Sequence, residues 1–301
     1  VILLDENSVV YGRPALAAAI PRGALATATS AEHDELSVEP WGVSIPAQVK
    51  QAEPDREQLR QAFLAVLAAY PKERKPQHVR ASMQIPGGAG LGSSAALSVA
   101  VISALDASLS ISHSLDQVIE LSLSWERVFH GNPSGIDSAM AARCGLMRYQ
   151  RGQTPALTPV PCAKPAILVI SHSGEHGSTK AMVESVAHQH ARDREKAEQI
   201  FDAIAAVVEN GIAALRDGDH ARLGQLFDVN QKLLNTLLLS TSKLEAMCQL
   251  AKAEGALGAK LTGGGGGGSM IALAPDESAA QAIAAALRAE GCETFVAHVG
   301  A

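Results

Sequence analysis

Aromatic side chains are scarce in this chain of 301 residues: they make up 3%, and only Trp41 and Trp125 are tryptophans. Without interleaved aromatics there is no platform on which single-stranded nucleic acid could stack. An excess of positive charge is missing too. The 25 Lys and Arg are outnumbered by 31 Asp and Glu, giving a net charge of −6. The overall field therefore attracts neither nucleic acid nor an anionic membrane surface, and a phosphate-rich ligand would need a local device. Long apolar runs are absent. The longest, Ala95–Leu105, is interrupted by Ser98 and Ser103 and falls well short of a membrane span. The four cysteines (Cys144, Cys162, Cys248 and Cys292) show no C-x-x-C and no metal-ligand spacing, a pattern expected of reduced thiols in a cytosolic protein. No stretch reads as a secretory signal. The chain opens on the strand-like run Val1-Ile2-Leu3-Leu4 without Met, and a preceding segment is expected.

Hydrophobic residues make up 47% and charged ones 19%, enough to bury a sizeable core in two α+β domains. The polar, Pro-containing stretch Gln150–Pro165 places the boundary, giving domains 1–165 and 166–301. Strands are expected at Val1–Leu4, Leu25–Ser30, Leu36–Val43 and Val79–Ile85. Helices are expected at Asp55–Tyr70 and Leu115–Phe129, with a further helix after the glycines that follow Ile85. In the second half, a buried-type strand at Ala166–Ile170 precedes helices over Thr179–Asn210, His220–Leu239 and Lys243–Ala253. Short strands at Gly258–Leu261 and Met270–Leu273 flank six glycines, Gly263–Gly268. Helix Ser278–Ala289 and strand Thr294–His298 follow.

The most informative stretch is Pro86-Gly87-Gly88-Ala89-Gly90-Leu91-Gly92-Ser93-Ser94-Ala95-Ala96, between an expected strand and an expected helix. Glycines let the backbone approach a ligand closely, and the next helix presents free N–H groups and a positive dipole end to an anion. Backbone, not basic surface, would then hold phosphate. Ser93 and Ser94 bring hydroxyls to the helix start, one able to cap it and another to reach Mg²⁺. There is no G-K-[ST] of a Walker loop and no G-x-G-x-x-G spacing. A tight turn alone would need fewer glycines.

Further on, Glu126 falls in the last turn of a helix, and the turn His130-Gly131-Asn132-Pro133-Ser134-Gly135 can bring Asp137 back towards it. An acid at a helix C-terminus opposes the dipole and is more easily rationalised if it meets a cation. By spacing alone, both carboxylates could equally be solvated or capping. His172 and His176, four apart, follow a strand among glycines, so a helical metal-ligand pair is not expected.

The glycine stretch closely resembles the ATP-binding motif of the GHMP kinases, a family of galactokinases and homoserine, mevalonate and phosphomevalonate kinases. G-N-P-S-G-x-D at Gly131–Asp137 matches the mevalonate kinase form of that motif set. The resemblance implies a two-domain GHMP kinase fold, with an N-terminal ribosomal-protein-S5-domain-2-like domain and a C-terminal ferredoxin-like domain. It implies ATP bound over Gly88, Ala89, Gly90, Leu91, Gly92, Ser93 and Ser94, with Mg²⁺ held by Ser94 and Glu126. Asp137 would face the reacting hydroxyl as the catalytic residue. Mevalonate, the implied acceptor, would be met by Glu6, Asn7, Ser134 and Thr179, with Lys180 nearby. A second copy of the chain is the only macromolecular partner entertained.

Glu6 and Val9–Ala17 resemble the first family motif, but Asp5 stands for a usual glycine and Asn7 for a usual histidine. The motif's lysine would fall just before Val1. Asp5 adds negative charge near a site for two anions and is expected to weaken substrate binding. Lys260-Leu261-Thr262 and Gly263–Gly268 resemble the third motif, with Gly264 for alanine and Ser269 for cysteine. Asn230-Gln231 also matches, whereas Leu237-Leu238-Leu239 departs from a usual Gly-Val. Alternative readings are another GHMP enzyme, acting on phosphomevalonate or galactose, and a silent nucleotide-binding homologue. A phosphorylated acceptor would call for more Lys and Arg than the motifs supply.

Overall fold

Periods of two and of 3.6 alternate along the sequence, and each settles into a strand or a helix. The computed structural model describes residues 1–85, 87–131, 133–152, 156–175 and 177–300, with Thr179 by its backbone alone. From the N-terminus come β1 (Ile2–Leu4), a 3₁₀ turn (Ser8–Tyr11), β2 (Pro14–Ala18), β3 (Ala24–Ser30), β4 (Glu35–Glu39) and β5 (Val43–Pro46). Then follow α1 (Pro54–Leu67), β6 (Gln77–Met83), α2 (Ser93–Leu109), α3 (Leu115–His130), α4 (Ile136–Ala142), β7 (Leu146–Gln150) and β8 (Ala156–Pro159). The remainder is β9 (Ala166–His172), α5 (Thr179–Arg192), α6 (Arg194–Asp217), α7 (His220–Thr236) and α8 (Ser242–Ala253). It closes with β10 (Gly258–Thr262), β11 (Ser269–Ala274), α9 (Glu277–Ala289) and β12 (Glu293–Val299).

These elements form two compact units interleaved along the chain. One comprises Val1–Pro21, Gly88–Leu91 and Cys144–Ala301; the other Arg22–Gly87 and Gly92–Arg143. Composition alone places a single cut near residue 165, but Val1–Pro21 shares its unit with Cys144–Ala301: Ile2 N donates to Thr262 Oγ1 at 3.2 Å, and Thr262 Oγ1 donates to Ile2 O at 3.0 Å.

The first unit holds two sheets. One runs β1-β2-β7-β8, all antiparallel. The other runs β10-β11-β9-β12, also antiparallel, the strand order of a ferredoxin-like split βαβ arrangement. Its core gathers Phe201, Leu234, Leu244, Met247, Leu261, Met270, Ile283 and Leu287, all buried. Helix α7 meets β10 backbone to backbone: a Cβ on Gly258 would lie 1.9 Å from the carbonyl oxygen of Gly224. The two helices α5 and α6 replace the single one expected over Thr179–Asn210. The break is at Asp193, whose carboxylate accepts from Lys196 N and caps α6.

The second unit is one four-stranded sheet, order β3-β6-β4-β5, with β4 and β6 parallel and the other pairs antiparallel. Leu36–Val43, expected as one strand, is β4 turning through Pro40-Trp41-Gly42 into β5. Helix α2 lies against β3 and β6, and α3 against α1 and α2. Helix α2 carries Leu97, Val101, Ile102 and Leu105 into the core.

Candidate active site

Helix α2 starts at Gly92, whose φ of +71° belongs to the left-handed region that glycine enters without penalty. Gly88 and Gly90 have φ of +72° and +71°. Neither Ser93 nor Ser94 caps the helix. Its N-cap is Gly92 and makes no side-chain cap bond, so the first turn's N–H groups can meet an anion. Ser93 is buried and Ser94 half-buried.

The Ser94 hydroxyl points across to α3. It donates to Glu126 Oε1 at 2.5 Å and accepts from Trp125 Nε1 at 3.1 Å. Trp125 is fully buried and orients the serine from behind, a role that no motif signals. Glu126 is buried in the last turn of α3, with His130 Nε2 3.5 Å from its other oxygen. Burial pushes the Glu126 carboxyl up to about 7; the Ser94 hydrogen bond opposes this and the nearby charge of Asp137 adds to it.

Asp137 sits in the first turn of α4, after Gly135 at φ +90°. Its side chain packs on the end of the glycine loop: a Cβ on Gly92 would lie 3.3 Å from Asp137 Oδ1. The residue is exposed, but the protein crowding its carboxyl on one side raises its pKa, and the neighbouring His130 pulls it down. Burial in turn lowers the pKa of His130, against the attraction of Asp137. Ser134 is half-buried, its hydroxyl 3.4 Å from the Ile136 N–H that donates to it. Asn132 lies outside the described residues. A hydroxyl, the buried carboxyl of Glu126 and the exposed carboxyl of Asp137, both carboxyls with raised pKa, thus stand together at the start of α2. Such a set favours a cation among hard oxygen donors.

In the first unit, the other end of the glycine loop rests on the six-glycine segment. Ser269 Oγ donates to Ala89 O at 2.7 Å, and a Cβ on Gly263 would come within 2.4 Å of Gly90 O. The glycine run is not a linker. Gly266 N donates to Leu239 O and Gly268 N to Glu175 O, each at 2.8 Å, and Ser173 N donates to Gly268 O at 2.8 Å.

Glu6 lies inside this unit, ion-paired with the fully buried Lys260 and accepting from Asn230 Nδ2 at 3.4 Å. Burial raises the Glu6 pKa and lowers that of Lys260, both against their mutual attraction. Asn7 is buried and its Nδ2 donates to Gly264 O at 3.5 Å. Asp5 has a φ of +84°, which fits a position where glycine is usual. Its carboxylate does not project as a free charge. It accepts from Ser8 N, Ser8 Oγ and Val9 N at 2.7–2.8 Å and anchors the 3₁₀ turn, so the expected repulsion of anions has no free carboxylate behind it. Burial raises its pKa to about 7. The side chain of Thr179 and the whole of His176 lie outside the described residues.

Two known domains match parts of this chain. The model for the N-terminal domain of GHMP kinases matches residues 58–145, and that for their C-terminal domain matches 212–292. The mevalonate kinase of Pyrococcus furiosus is 32% identical over 99% of this chain and 93% of its own length. That of Thermococcus gammatolerans is 34% identical over 94% and 90%. The chain belongs to the GHMP kinases, in their mevalonate kinase family. Among solved structures, the L. major mevalonate kinase in complex with R-mevalonate superposes with a TM-score of 0.86 at 27% identity, covering 99% of this chain and 93% of that one. A GHMP kinase is a phosphotransferase with ATP as co-substrate and a small molecule as acceptor. No helix among the described residues is long and apolar enough to cross a membrane.

The raised pKa of Glu126 makes a prediction with a definite sign. Its folded value, about 7, lies above the ordinary 4.5. Stability is therefore full below pH 4.5 and falls as pH rises through 7, by about 3 kcal/mol at most. Between pH 6 and pH 8 the nucleotide-free protein should lose melting temperature, and Glu126→Gln should lose less. Mg²⁺ with ADP should restore the wild type at pH 8 but not the variant. Parallel pH slopes for the two proteins would contradict this origin.

Proposed function

We propose that this chain transfers the γ-phosphoryl group of ATP to the primary hydroxyl of mevalonate, giving phosphomevalonate for isoprenoid precursor synthesis. The observation that carries the reading is the trio of half-buried Ser94, buried Glu126 and solvent-facing Asp137 at the end of a glycine loop. It occurs in a chain similar to mevalonate kinases over nearly its whole length.

The N–H groups of Gly88–Leu91 and of the first turn of α2 bind the phosphates. Asp137 accepts the proton of the acceptor hydroxyl, and its raised pKa suits it to that task. The freed oxygen forms a bond to the γ-phosphorus, the bond from that phosphorus to the β–γ bridging oxygen breaks, and ADP leaves. Glu6, Asn7, Ser134 and Thr179 are assigned to the acceptor, with Glu6 acting through the Lys260 ion pair that holds it.

Ser94 and Glu126 would hold Mg²⁺, which when bound neutralises charge on the β- and γ-phosphates. Their oxygens fit it, and among the described residues no group of three or more His, Cys, Asp or Glu forms a cation cage. Mg²⁺ commonly takes one or two protein ligands and completes its shell with phosphate and water. A reducing, cytosolic setting is supported by four free cysteines. A homodimer is supported by β3, an edge strand without a charged residue and with Leu25 exposed.

ADP release, measured with mevalonate, phosphomevalonate, galactose and homoserine in turn, tests the reading. Mevalonate should give turnover well above the other three. No release with mevalonate, or equal release with another acceptor, would overturn it.

A further inference from the structure

Behind Ser94, Glu126 and Asp137 lies a second set of hydroxyls, in step with the first. Ser98 follows Ser94 by four residues on α2, Ser122 precedes Glu126 by four on α3, and Ser138 follows Asp137 on α4. All three are buried. The Ser98 and Ser122 hydroxyls are 2.6 Å apart, Ser122 Oγ donates to Ser138 Oγ at 2.9 Å, and Ser98 Oγ donates to Ala95 O at 2.8 Å.

Serine is a weak choice for a helix interior, because its hydroxyl competes for backbone groups. Buried hydroxyls also cost stability wherever a bond is missing. Alanine would pack the same three helices without that risk, so helix packing alone does not account for three serines meeting at one point. Hydrogen bonds do something that apolar contact does not: they fix both the distance and the rotation of each helix against the next. On α2 and α3 a step of four residues stays on one helix face, so fixing Ser98 and Ser122 also fixes Ser94 and Glu126. On α4, Ser138 holds the turn that carries Asp137.

We infer that Ser98, Ser122 and Ser138 are positioning residues that set the separation of Ser94, Glu126 and Asp137 for a divalent cation and the acceptor hydroxyl. This rests on the function proposed above for those three. Outer partners of this kind typically change metal affinity or activity by about 10- to 100-fold when removed.

The test compares Ser122→Ala, which removes the middle of the chain, with Ser171→Ala. Ser171 is equally buried, bonded to Thr294 Oγ1 at 2.7 Å in β9, and outside the candidate site. Mg²⁺-dependent ADP binding by calorimetry and kcat with mevalonate are measured for both, with melting temperature. Ser122→Ala should need roughly 10-fold more Mg²⁺ for half-maximal ADP binding and lose about 10- to 100-fold in kcat. Ser171→Ala should lose a comparable melting temperature and neither of the other two. If Ser122→Ala does not fold, Ser98→Ala, which leaves the Ser122–Ser138 bond, should move both readouts in the same direction by less. Wild-type Mg²⁺ response and kcat in a folded Ser122→Ala or Ser98→Ala protein would overturn the inference. A wild-type protein that neither binds Mg²⁺ with ADP nor turns over mevalonate would overturn the functional reading itself.

Discussion

Asp137→Asn is expected to lower kcat with mevalonate about 10³-fold, the range for losing a positioned proton acceptor, while leaving the protein at least as stable. The amide has nearly the same shape, so the packing of residue 137 on Gly92 persists and the KM for ATP should change little. What disappears is the group that takes the hydroxyl proton. The stability side follows from the crowding of that carboxyl. The folded pKa of Asp137 is raised above its ordinary 3.8. Its contribution is full below that pH and is lost as pH rises through the folded value. Asparagine does not titrate, so the variant should melt at or above the wild type at pH 8, with the gap closing towards pH 4. An inactive variant that melts higher separates loss of chemistry from loss of fold. A variant with kcat within a few-fold of wild type would remove Asp137 from the reaction.

How far such a site can be read in sequence depends on where its information lies. The glycine loop, Glu126 and Asp137 carry theirs in consecutive residues, and the motif and the dipole argument for Glu126 both point to one place. Trp125 and the serine set carry theirs in contacts between helices. Ser98, Ser122 and Ser138 are far apart in the chain and look like ordinary polar interruptions of apolar helices, so only packing reveals that they meet. The ferredoxin-like sheet follows from short apolar runs set off by glycines and helical segments, but β2 lacks such a frame. All five residues of Pro14–Ala18 are buried, so no alternation marks it. Helix α4 is seven residues long, too short for a period to emerge. The glycine departures divide in an instructive way. Asp5, at φ +84°, compensates its backbone strain by three accepted hydrogen bonds. Leu238, at φ +59° and largely exposed, does not gain burial in exchange for a conformation that costs a non-glycine residue about 1–2 kcal/mol.

Gly263→Ala should combine that backbone cost with a collision and so disable nucleotide binding as well as weaken the fold. Gly263 has a φ of +86°, and a Cβ there would lie 2.4 Å from Gly90 O and 2.9 Å from Gly90 Cα. Backbone on both sides leaves no flexible side chain to yield, so the Gly88–Leu91 segment itself must move. Gly255 separates the two effects. Its φ is +95° and nothing lies within 4 Å of a Cβ built on it, so Gly255→Ala should cost only the left-handed penalty, about 1–2 kcal/mol. Its kinetics should stay normal. For Gly263→Ala the loss of stability should be larger, and the KM for ATP should rise by at least about 10-fold, as expected when phosphate-binding N–H groups are displaced by an ångström or so. The measurements are denaturant unfolding and initial rates against ATP for both variants. Equal KM values in the two would mean that the contact between the glycine loops does not hold the phosphate-binding segment in place.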